Sequence, residues 1–270
     1  MADLEAMGAA LEVAVPVVDS KNARGEAMHR KAALVSEMVT RTRRALGDRL
    51  ESIVLYGPEV HGDAYREIEQ LNLLLVLRDL EPQTLRLLGD PVYFWLKRAQ
   101  PWPRLFTLEL MRDSLDVFPI EFLDISRHHR IVFGSDPLAG FAPDPTHLRI
   151  QCERELREKL MRLREGYVES RGATRSLRKL LSASFASFAP VWRGCLHLLA
   201  VDVPLHDTEV AEALCRQLGL EFAPFAEIAR IAGGTSRADV EEAYALYERE
   251  LARLITRIDR WTVDREGESS

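Results

Sequence analysis

Cysteine is scarce in this chain, and the three it has, Cys152, Cys195 and Cys215, lie far apart among 270 residues. An odd number of widely spaced thiols does not make a disulfide framework, and no Cys/His pairing has zinc-ligand spacing. The three are expected to be buried free thiols in a reducing compartment. No apolar run approaches the length of a membrane span. The opening residues, MADLEAMGAALEVAVPVV, carry acids and no basic stretch, so a secretory leader is not expected and a cytoplasmic location is. Positive charge is in deficit: 36 Lys and Arg stand against 42 Asp and Glu, a net charge of −6. That argues against bulk nucleic-acid binding, although a local basic groove is compatible with it. There is no Gly-x-Ser-x-Gly elbow and no internal repeat.

What is present is ordinary globular material, 47 % hydrophobic and 29 % charged, enough for one large domain or two modest ones. Residues 1–24 have no clear period and read as an arm. From Gly25 to Leu46 the apolar positions follow helical spacing, with Arg41, Arg43 and Arg44 near the end and Gly47 as the stop. SIVLYG (52–57) and LNLLLVL (71–77) are continuous apolar runs, as strands covered on both faces should be. A helix is expected over 82–99, strands over 104–110 and 117–125, and a short apolar segment over 129–138. After Pro143–Pro145 the pattern becomes helical throughout, with expected spans of 146–168, 174–200, 207–218, 221–232 and 236–261. The expected fold is therefore α+β: an α/β domain with a mixed sheet over 25–142, an all-α helical bundle over 146–262, and a frayed tail at 263–270.

The stretch LYGPEVHGDAYREIEQLNLLLVL (55–77) joins two of the expected strands through a glycine turn and a short helix. Such a unit binds phosphate because the N–H groups of a first helical turn point outward and the dipole favours anions. Gly57 would let the backbone come close, and Gly62 would close the short helix. This string resembles the nucleotidyltransferase superfamily of polymerase-β-like fold, over roughly residues 27–140. The resemblance implies a strand, Gly-Ser, a short helix with a further glycine, and then Asp-hydrophobic-Asp opening the next strand. Here these positions are Gly57 and Pro58, then Gly62 and Asp63, then Gln70, Leu71 and Asn72. A third carboxylate in mid-strand is also implied, and Glu121 in FPIEFLDI is the candidate. A helical bundle following the sheet is similar to aminoglycoside nucleotidyltransferases.

In that superfamily the paired aspartates hold Mg²⁺, which bridges the nucleotide phosphates and activates the attacking hydroxyl. Gln70 and Asn72 keep the shape and remove two charges. Pro58 supplies neither the serine hydroxyl nor a backbone N–H. The expectation is a catalytically degenerate member, with no catalytic residue assigned and no cofactor or metal expected, retaining a cleft for a nucleotide or other small anionic ligand. Mg²⁺ enters only under the alternative of an active transferase with rearranged ligands, drawn from Asp63, Glu67, Glu69 or Glu121. Glu121 has a second reading, as the partner of a nearby arginine. A further alternative is a scaffold or antitoxin-like subunit that binds a protein partner, or itself as a homodimer, through the bundle, supported if Tyr244, Tyr247 and Leu251 form an exposed stripe.

Arg175, Arg178 and Lys179 are candidate cleft cations for an anionic ligand, set against a solvated, salt-bridged face. His128 and His129 suit a loop or strand edge. Arg193 and His197 lie four apart and resemble the Arg…His pair of HEPN ribonucleases, one residue short of its spacing; core-lining is the plainer reading of His197. Ser182, Ser184 and Ser187 suit a helix–helix contact, and Trp95, Trp102, Trp192 and Trp261 suit packing.

Overall fold

A computed structural model describes residues 20–57, 70–127 and 129–261. The architecture is α+β, as expected: a four-stranded mixed sheet with helices on both faces, followed by a helical bundle. Helix α1 (Ser20–Leu46) starts before the expected Gly25 and stops before Gly47. A single 3-10 turn then enters β1 (Leu50–Tyr56). The sheet order is β3-β2-β1-β4. β1 runs antiparallel to β2 (Asn72–Leu77) and to β4 (His129–Gly134), while β2 runs parallel to the short β3 (Arg104–Phe106).

The two interior strands are apolar on both faces because both faces are covered. Ile53, Leu55, Leu73 and Leu75 pack with Val35 and Met38 of α1 and with Val92 and Trp95 of α3 (Gly89–Leu96). Val54, Leu74 and Val76 pack on the opposite side with Met111 of α4 (Leu108–Asp113) and with Phe122 and Ile125 of α5 (Pro119–Arg127).

Three expectations in this half are corrected. The 82–99 helix is two pieces, α2 (Pro82–Leu87) and α3. Pro91 has no N–H to continue a helix, and it falls in the first turn of a new one. The 104–110 strand ends at Phe106, because Thr107 caps α4 by accepting from Leu110 N at 3.0 Å. The segment 117–125 is helix, not strand, from Pro119 onward. It is apolar on two sides: Ile120 and Leu123 enter the bundle core, while Phe122 and Ile125 enter the sheet core. With both sides buried there is no one-sided helical period, and Pro119 takes the first helical position that proline favours.

The bundle consists of α6 (Pro145–Ser170), α7 (Thr174–Leu198), α8 (Asp207–Leu218), α9 (Ala223–Ala232) and α10 (Val240–Asp259), each within a few residues of expectation. Asp144 caps α6 by accepting from Thr146 N at 2.7 Å. Trp192 of α7 sits at the centre, stacked on Phe188 and edge-on to Phe225, which in turn meets Tyr247 edge-on. Tyr247 and Leu251 are buried and Tyr244 stacks on Tyr167, so the supposed exposed stripe on α10 faces inward. The cysteines are free and buried. Burial and the neighbouring Cys152 raise the Cys195 thiol, and burial with Glu250 pushes Cys215 up to about 12, so both stay protonated and inert. Trp95 and Trp192 are packing residues, but Trp102, between two prolines before β3, is 69 % exposed. No helix among the described residues is long and apolar enough to cross a membrane.

Candidate functional site at the sheet end

β1 ends, and β2 begins, at the same end of the sheet, where Tyr56 pairs with Asn72. Gly57 follows at φ +94°, a region closed to most side chains, and a Cβ there would lie 3.1 Å from Asn72 Nδ2. Asn72 therefore lies close over the Gly57 backbone. Asn72 is half-buried and Gln70 is exposed. Pro58, Gly62, Asp63, Glu67 and Glu69 lie outside the described residues, as does His128.

Strand alternation sets which side chains meet here. Tyr56, Asn72 and Arg104 share the face of Val54, Leu74 and Phe106, which is the face α5 covers. Arg104 reaches over β2, and its Nε donates to Tyr56 Oη at 3.0 Å. Burial lifts the Tyr56 phenol above its ordinary value against the opposing pull of Arg104, so at neutral pH it is the uncharged acceptor of that bond. The strand beside the motif strand therefore presents a guanidinium.

Glu121 is on α5, not in mid-strand. Its carboxylate accepts from Gln151 Nε2 of α6 at 2.8 Å, while Gln151 Oε1 accepts from Ile120 N, also at 2.8 Å. The buried Gln151 thus holds two consecutive residues of α5 and fastens the sheet half to the bundle. One turn on, Asp124 is half-buried; burial raises its carboxyl above the usual range, opposed by Arg193 and Arg127 and reinforced by Glu121 and Asp207. Burial and Arg193 lower Arg127, which Asp124 and Asp202 partly offset. Arg193 of α7 is ion-paired with Asp207 at the start of α8. Gly194 allows α5 this close: a Cβ there would lie 3.1 Å from both Ile120 Cγ1 and Cys152 Sγ. His197 is exposed at the rim of the small gap between α5 and α7 rather than lining the core, and desolvation together with Arg127 keeps it below its ordinary value.

The other candidates lie elsewhere. Arg178 donates to the carbonyls of Ser236 and Ala238, clamping the loop before α10, and Arg175 and Lys179 are exposed beside it. These are on the first turns of α7; at 1.5 Å per residue, Arg193 is more than about 20 Å further along the same helix. His129 opens the edge strand β4, with Nδ1 2.8 Å from Ser126 O and Nε2 3.4 Å from Asp136, an edge role as expected. No local sequence pattern singles out Tyr56 or Arg104. Glu121, Asp124 and Arg127 recur every third residue, which is the edge of a helix, and that spacing was the available signal.

Among the described residues, no carboxylate stands at the two motif positions. The two motif positions carry neutral amides and the adjacent strand carries a cation, whereas magnesium takes charged oxygen ligands. Among the described residues no group of three His, Cys, Asp or Glu is placed to share a metal ion.

No family model and no curated protein matches this chain. Two solved structures of nucleotidyltransferase type are similar to it. The crystal structure of spectinomycin adenyltransferase AAD(9) from Enterococcus faecialis, which holds ATP and spectinomycin, superposes with a TM-score of 0.48 and 11 % identity, over 86 % of this chain and 99 % of that one. A nucleotidyltransferase-like protein from Exiguobacterium sibiricum 255-15 superposes with a TM-score of 0.36 and 15 % identity, over 79 % of this chain and 71 % of that one.

Proposed function

We propose that this chain is a nucleotidyltransferase-fold protein without metal-dependent nucleotide transfer, whose sheet end holds an anionic, nucleotide-type ligand directly. The observation that carries this reading is the Arg104–Tyr56 hydrogen bond beside Asn72. In a metal-using site of the resemblance drawn above, β2 would open on two aspartates, and β3 lies beside it on this face. Here they offer an amide and a guanidinium. A cation fixed at that point repels Mg²⁺ and attracts the phosphate that the metal would otherwise have neutralised. Glu121, the candidate third acid, is engaged by Gln151 at the joint with the bundle.

Calorimetric titration with nucleoside triphosphates tests the proposal, run once with Mg²⁺ and once with EDTA, with chromatography of the mixtures for product. Binding of equal strength in both, with the triphosphate intact, is expected. Magnesium-dependent release of pyrophosphate or transfer to any acceptor would overturn it, and would favour ligands from Asp63, Glu67 and Glu69.

A further inference from the structure

A second charged feature lies on the opposite side of the sheet from the Arg104 face. Between α1 and α3 a groove of about 440 Å³ is lined by Arg30, Leu34, Glu37, Arg41, Phe94 and Arg98, together with Ala33. Three guanidiniums face one carboxylate there, an excess of two positive charges on a chain whose net charge is −6. Two of the three are held in place. Arg41 Cζ lies 4.2 Å and Arg98 Cζ 3.7 Å from the centre of the Phe94 ring. Arg98 Nη1 also donates to Phe94 O at 2.8 Å, and Arg41 Nε to Glu37 Oε1 at 2.7 Å.

A guanidinium lying over an aromatic ring uses its flat face there and keeps N–H donors at its edge. Those edges match the oxygens of a phosphate two at a time, and side chains already ordered by the ring lose less freedom when a ligand arrives. The groove volume falls in the range of small-ligand sites, roughly 300–1,000 Å³. We infer that the α1–α3 groove is a binding site for a phosphate-bearing small molecule with at least two phosphates, held by Arg41 and Arg98 over Phe94 and by Arg30 at its edge. This site is separate from the sheet end.

Titration calorimetry of the full chain, in EDTA at low and physiological salt, tests this with inorganic tripolyphosphate and with ATP. Binding that weakens with salt is expected. Equal affinity for the two probes assigns recognition to the phosphates alone; tighter ATP binding that also depends on Arg98 adds a nucleoside contact. Arg98→Ala and Arg41→Ala should each weaken binding about tenfold, the scale of losing one charge-assisted hydrogen-bonded contact. Arg98→Lys, which keeps the charge and the fold, should fall between. Glu37→Gln should tighten binding. Arg104→Ala should remove only the share of binding that belongs to the sheet end and leave a tripolyphosphate site that still responds to Arg98→Ala, which separates failure here from failure of the reading given for the sheet end. No binding of either probe, binding indifferent to Arg98→Ala and Arg41→Ala, or capture of an oligonucleotide alone would overturn the inference.

Discussion

The two halves of the molecule treat buried polar groups differently. In the bundle, Glu250 is fully buried and fully used: it accepts from Arg253 at 2.8 and 3.1 Å and from Glu221 N at 3.2 Å, tying α10 to the start of α9. At the sheet end and the joint, burial instead holds the half-buried Asp124 carboxyl above its ordinary range against the pull of Arg193 and Arg127. The first arrangement satisfies a charge and fixes a packing. The second keeps burial and charge in tension, a condition common where ligands bind. Glu250 is thus part of the scaffold, while Asp124, where α5 meets the sheet and α7, carries a standing conflict between burial and charge.

The largest test of this contrast is Trp192→Ala. It empties the centre of the bundle and should cost about 3–5 kcal/mol in urea unfolding; a loss confined to a few tenths would mean the core is not organised around that ring. Next is Glu250→Ala. It strands the Glu221 N–H and frees a half-exposed Arg253, and is expected to cost about 2–3 kcal/mol. Gln151→Ala removes both bonds that fasten α5 to α6 and should cost about 1–3 kcal/mol. Hydrogen exchange at α5 should rise with it while exchange at the centre of α7 stays slow; uniform acceleration would show that the joint is not a separate feature.

Asp124→Asn should have the opposite sign. Because folding raises this carboxyl, the native state binds its proton more readily than the unfolded chain does. Ionised Asp124 therefore subtracts stability above its folded pKa, and the penalty fades as pH falls toward the unfolded value. The variant should be more stable than the parent at pH 7, with the gap closing near pH 4. Destabilisation at pH 7 would mean that the attraction to Arg193 and Arg127 outweighs burial. The smallest effect is expected for Tyr247→Phe. That hydroxyl is buried without a hydrogen-bond partner, and the Ser184 hydroxyl donates to Leu181 O. Removing it should change stability by less than about 1 kcal/mol, and favourably if at all.

The same contrast governs how much could be read in advance. The bundle helices were legible because each turns one apolar side to a single core. β1 and β2 were legible as unbroken apolar runs. α5 was misread because it serves two cores at once, so its sequence VFPIEFLDI alternates without showing which period is real. The misreading moved Glu121 from a helix to a strand and hid Asp124 and Arg127 beside it. At the site itself, Gly57 and Asn72 were within reach because each adjoins the end of an unbroken apolar strand run. Arg104 could not: its role depends on β3 pairing parallel to β2, a contact made across some thirty residues of intervening chain that no local pattern records.

The guanidinium that crosses β2 also sets the direction in which this molecule could change. An aspartate introduced at position 72 would find a cation beside it before any metal arrived, and the new charge would be spent on an internal ion pair. An aspartate added at position 70 as well would lie further out, at an exposed position. Losing that arginine, in turn, leaves the Tyr56 hydroxyl without its donor. Positions 56, 72 and 104 are thus coupled, and a change at one alters what the other two can do.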